Sequence, residues 1–176
     1  MTITKRPGPH TAPETFELPI GEWQLRLVGL LARLDHLFGE MREYKADAVR
    51  LLDMVEAMVT AVEGTAAGLT FPKRAADAQI EALTHTGAFW SGVHDARAAL
   101  GPRGFFQSTW AALSGGRSPD VWPTVRPCLP AAHAAVAAYF ALFTRTFPSS
   151  AAARTWVDAA GSFLAEFKRQ VRDLTR

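Results

Sequence analysis

The stretch that decides the fold runs from Ile20 to Thr65, IGEWQLRLVGLLARLDHLFGEMREYKADAVRLLDMVEAMVTAVEGT. Written in heptads from Ile20, its a positions are Ile20, Leu27, Leu34, Met41, Ala48, Val55 and Val62. Its d positions are Trp23, Leu30, Leu37, Tyr44, Leu51 and Met58. Every one of these is apolar or aromatic, which is the signature of an amphipathic helix. Leu31, Phe38, Leu52 and Val59 at e widen the stripe from a two-stranded seam to the width a bundle buries. No proline interrupts it, and Gly29 and Gly39 weaken a helix without ending it. The phase passes through Met41, Tyr44 and Ala48 without a slip, so the pattern predicts one continuous helix.

That helix is long for its chain. At about 1.5 Å per residue it makes a rod of about 69 Å, against about 40 Å for the diameter of a compact body of this size. The overhang asks for cover. The residues offered as an interface are Ile20, Trp23, Leu27, Leu30, Leu34, Leu37, Met41, Tyr44, Leu51, Val55 and Met58. The expected occupant is a second copy, giving a homo-oligomer (a dimer), or a helical protein partner.

Outward from this stretch, residues 1–19 carry prolines and no periodicity and read as a flexible tail. Residues 20–176 read as one helical-bundle domain. A second helix is expected from Lys73 to Leu100, with stripes through Ile80, Leu83, Gly87, Trp90 and His94, and through Phe89, Val93, Ala96 and Leu100. Gly101–Pro102 supplies its stop. Residues 101–130 are rich in glycine, proline and aromatics and read as a loop region with a short helix near Phe105–Leu113. Pro130–Thr146 and Ser149–Leu174 read as two closing helices, separated by Pro148. The expected fold is all-α, an elongated helix bundle of about five helices with one long N-terminal helix.

Composition narrows the function classes. The chain has 176 residues, 48% of them hydrophobic and 20% charged, which excludes a disordered chain and a disulfide scaffold. Cys128 is its single cysteine, so no internal disulfide forms. The basic pair Lys5–Arg6 is followed by no apolar run of the kind that targets secretion. Ala131–Phe143, the longest uncharged apolar stretch, is shorter than the roughly 20 residues of a bilayer span. A cytoplasmic protein with no membrane partner is therefore expected. The net charge of +2 is uneven, acidic over residues 20–68 and basic behind. Arg103, Arg117, Arg126, Lys168, Arg169 and Arg172 make nucleic acid a possible partner of the C-terminal half.

Motifs for chemistry are sparse. Ser114–Gly115–Gly116–Arg117–Ser118 lacks the lysine of a phosphate-binding loop. Cys128 lies five residues before His133, with Pro130 between them. His85 and His94 fall on opposite sides of their helix and cannot share a metal. His94 and His133 sit on apolar stripes of different helices, which with Trp90 suggests a ligand- or metal-binding core. Glu-x-x-His occurs nowhere, so no metal or cofactor is expected. Arg126 and His133 have the spacing used by the helical RNases called HEPN domains. The likeness rests on those two residues, and Pro127 and Pro130 depart from the pattern. The function expected first is a non-enzymatic assembly or adaptor protein acting along the Ile20–Thr65 ridge. A nucleic-acid accessory subunit and a histidine-centred ligand bundle are the alternatives.

Overall fold

Asp47 ends the N-terminal rod. Its Oδ1 accepts hydrogen bonds from the Val49 and Arg50 backbone N–H groups, each at 3.1 Å, so it is the N-cap of a new helix. In the computed structural model, which describes residues 20–45, 47–114, 121–146 and 151–176, the heptad stretch forms two helices. These are α1 (Ile20–Glu43) and α2 (Ala48–Ala67). The single long N-terminal helix is therefore corrected to a hairpin. The physical reason is that each half offers the other an apolar face, so folding back buries both without a partner. Arg26 closes the open end of the hairpin by donating from Nη1 to the Gly68 carbonyl at 2.7 Å.

A 3-10 turn (Lys73–Ala75) leads into α3 (Ala76–Ser114). α3 runs through Gly101–Pro102, so the stop expected there is also corrected. An interior proline removes one backbone hydrogen bond and costs about 3 kcal/mol, and this helix carries it. The region 101–130 is mostly helical, since α4 (Trp122–Val125) and α5 (Cys128–Thr146) follow. Last comes α6 (Ala151–Thr175). The tail 1–19, the Gly115–Gly116 turn and Pro148 lie outside the described residues. The all-α helical bundle is as expected, and the described residues form five long helices and the short α4.

Cross-helix pairs fix the topology. Arg97 of α3 reaches Asp53 and Glu56 of α2, and Trp90 donates to Glu63 at 2.9 Å, so α2 and α3 run antiparallel. Arg74, at the start of α3, donates to the Thr146 carbonyl at the end of α5, and Gly92 lies beside Cys128 at the start of α5, so α3 and α5 are antiparallel as well. Phe140 meets Trp156 at 5.4 Å and His133 meets Phe167 at 5.4 Å, which sets α5 against α6. Arg42 of α1 pairs with Glu166 of α6 at 2.8 Å. The helices α1, α2, α5 and α6 form a four-cornered bundle, and α3 packs outside it against α5 and α2.

The core is aromatic at its centre. Phe38, Phe140, Phe143, Phe163 and Phe167 are buried, with ring centroids about 6 Å apart in edge and tilted pairs. Phe71, from the α2–α3 connection, sits between Trp23 and Phe143 and plugs one end. The stretch Trp122–Thr146 is long and apolar enough to cross a membrane by composition, yet more than half of its apolar window is buried inside the chain. Its apolarity serves the contacts of α5 with α2, α3 and α6.

Asp47→Ala separates the two architectures by sign. In a hairpin it removes the cap and lowers stability by about 1 kcal/mol. In a continuous rod alanine, the better helix former, raises stability by a few tenths of a kcal/mol. Urea denaturation measures the difference, and the expected result is a loss.

Candidate functional site

The heptad ridge lies in the chain's own core. Trp23, Leu27, Leu30, Leu34, Met41, Leu51, Val55 and Met58 are all buried. Leu37 is half-buried and Tyr44 exposed, while the Ile20 side chain falls outside the described residues. As a surface offered to a partner, the ridge is corrected: α1 and α2 use it on each other and on α5 and α6.

What reaches solvent is a different apolar set. The helix α3 turns Ala75, Ala78, Ala82, Phe89, Val93 and Ala96 inward, from the turn that precedes it to its middle. With buried Thr86 between Ala82 and Phe89, this row recurs every three or four residues, as a buried helical face must. Ile80 and Leu83, its two largest aliphatic residues before Phe89, face out at 64% and 58% exposure. The stripe expected through Ile80, Leu83 and Gly87 is thus the outer face, and the inner face before Phe89 is one of small residues. Small side chains let α3 lie close to α5. Leu25 and Val28 make a second exposed pair, on α1, at 76% and 53%.

The histidine site does not assemble. His94 is exposed on α3. Trp90 is half-buried and donates to Glu63 of α2. His133 faces α6, with Nε2 3.3 Å from the Leu164 carbonyl and its ring edge-on to Phe167. Burial pushes the His133 imidazole below its ordinary pKa, and the Lys168 charge adds to this while the Leu164 carbonyl opposes it. Among the described residues no group of three His, Cys, Asp or Glu side chains is placed to hold a metal. Arg126 is exposed at the α4–α5 turn, and His133 is half-buried on α5. Cys128 is buried where α5 meets α3, beside Gly92, and its thiol pKa is raised, chiefly by burial.

The basic set is partly neutralised. Arg169 pairs with Glu166 at 2.7 Å and with Asp173 at 3.0 Å. In return Arg169, helped by Gln170 and Arg42, holds the Glu166 carboxyl down to about 2. Arg126, Lys168 and Arg172 are exposed. The Arg103 side chain and Arg117 lie outside the described residues.

Among the described residues two surface grooves stand out. One, of about 290 Å³, lies between α1 and α6 beside the Arg42–Glu166 pair. The other, of about 350 Å³, lies between α1 and α2 and is lined by Arg26, Arg33, Thr60, Ala61, Gly64 and Thr65. Sequence reading missed the second groove, although Arg26 and Arg33, seven apart on one helix, share a face. Compared with known proteins, the chain matches no family model, no curated protein and no solved structure.

His133 gives a pH test of the site's geometry. Its folded pKa lies below the roughly 6.5 of an unfolded histidine. Neutral His133 therefore contributes stability that is complete above that value and is lost as pH falls through the folded pKa. His133→Gln is expected to flatten the fall of the urea midpoint between about pH 7 and pH 5, a window in which the parent protein weakens.

Proposed function

We propose that the chain is a non-enzymatic helical assembly or adaptor protein, which docks a partner helix or a second copy of itself through the outer face of α3. One observation carries this reading: α3 buries alanines and presents Ile80 and Leu83 to solvent. Over its first turns, where alanines face inward and Ile80 and Leu83 outward, the helix gains nothing from the outer pair within its own chain. Each such side chain gains about 1.5–3 kcal/mol when a partner covers it. Spaced three apart, Ile80 and Leu83 are the anchor pattern by which an amphipathic helix joins another. Leu25 and Val28 on α1 repeat the same spacing and offer a second docking face.

The face also suits a protein that associates reversibly. Asp77, Gln79 and Thr84 flank the aliphatic pair on the helix and are exposed, so the patch is small and rimmed by polar groups. The expected assembly is accordingly concentration-dependent.

Sedimentation over a wide range of protein concentration tests the proposal. The protein is expected to shift from monomer to a larger species, and Ile80→Ser with Leu83→Ser is expected to hold it as monomer. Because both side chains are exposed, the double variant should keep its thermal stability within about 0.5 kcal/mol per site. A partner-free monomer at the highest concentration, unchanged by the double variant, would defeat self-association. No partner pulled from the cell by the parent but missed by the variant would then remove the adaptor reading too.

A further inference from the structure

We infer that the groove between α1 and α2 binds a phosphate group. Its six lining residues include two arginines and no carboxylate. The two arginines play different parts. Arg26 is already oriented: Nη1 donates to the Gly68 carbonyl at 2.7 Å and Nη2 to Glu22 Oε1 at 3.1 Å. A guanidinium carries five N–H donors, so three remain for a ligand. Its charge is shared with Glu22, which leaves Arg33 to supply the net positive charge of the groove.

Arg33 is exposed, and among the described residues it has neither an ion pair nor a hydrogen bond. The positions three and four away on α1 are Gly29, Leu30, His36 and Leu37, so no acid is placed to neutralise it along the helix. Across the groove it faces Thr60, Ala61 and Gly64 of α2, and these are uncharged too. The other basic side chains with defined partners contrast with it. Arg42, Arg97 and Arg169 all reach carboxylates.

The opposite wall fits the same ligand. Thr65 spends its hydroxyl proton on the Ala61 carbonyl at 2.9 Å, as Thr84 and Thr86 do on theirs. Thr60 makes no such bond within the described chain, so its hydroxyl is available to donate into the groove. Gly64 provides the space: a Cβ built there meets nothing within 4 Å, so the helix needs no glycine for its own packing. A helix-interior glycine costs about 1 kcal/mol against alanine, and here its effect is to keep the groove open. Arg26 and Arg33 are two helical turns apart, about 10.5 Å along the axis. Both line the one groove, so an anion lying along it meets guanidinium N–H donors, the groups that hold phosphate most strongly, at each end. About 350 Å³ is room for that anion and a small organic body attached to it.

The test is a titration of the full chain at low ionic strength with two probes, inorganic phosphate and glycerol phosphate, followed by amide and arginine Nε–H resonances. Saturable shifts are expected at Arg26, Arg33, Thr60 and Gly64 with either probe. Equal affinities assign the site to the phosphate alone, and a tighter glycerol phosphate assigns it to a phosphate monoester. Arg33→Gln removes one charged donor and should weaken binding about tenfold, whereas Arg154→Gln, on α6, should leave it unchanged. Gly64→Leu fills the groove from a position with open space, so it should abolish binding while the melting temperature holds. Non-saturating shifts, or shifts of equal size in Arg33→Gln and Gly64→Leu, would overturn the assignment. The α3 double variant should bind phosphate like the parent, so this site and the docking face succeed or fail separately.

Discussion

Two neighbouring helices that point the same way need a third to bring the chain back, and this bundle is organised around that need. α2 and α5 lie side by side and run parallel, and α3 is the return path between them. The return helix must pack on α5 without displacing α6 from its other side. Its inward row of Ala75, Ala78, Ala82 and Ala96 makes that possible, because small residues bring helix axes toward the short end of the usual range of about 8–10 Å. The consequence is borne by the outer face. With alanines inside, Ile80 and Leu83 have no interior left to occupy. The exposed apolar pair thus follows from the topology of the bundle.

The N-terminal hairpin shows what a periodic pattern reports. A heptad phase records which side of a helix meets apolar surroundings, and says nothing of whether the backbone is continuous. Through Tyr44, Lys45, Ala46 and Asp47 the lettering survived because α2 buries Leu51, Leu52, Val55, Met58, Val59 and Val62 at helical spacing of its own. The turn was written in Asp47, a cap residue directly before an apolar run. The Arg50 guanidinium over the Tyr44 ring, at 5.0 Å, is a tertiary detail no local pattern shows. The all-α class, the two last helices and the burial of Phe140, Phe143, Phe163 and Phe167 were legible, since large aromatics at helical spacing find the core in almost any packing.

The site was less legible, for a physical reason. Size alone ranks Ile80 and Leu83 above Ala78 and Ala82 for burial, and only the neighbour's shape reverses that order. His94 and His133 each sit on an apolar stripe, yet facing depends on where α3 and α6 stand around α5, which pairwise spacing does not carry. Arg26 and Arg33 were visible as a pair on one face. Their groove became visible only when α2 placed uncharged Thr60, Ala61 and Gly64 opposite them.

Cys128 gives the molecule a built-in reporter. It is the chain's one thiol, buried at the α3–α5 seam with Gly92 as its neighbour, and burial pushes its pKa further up. An alkylating reagent reaches that sulfur when α3 lifts away from α5. The speed at which the native protein is labelled therefore counts openings of this one seam, and a partner clamped over the outside of α3 would be felt by the sulfur as a slower clock.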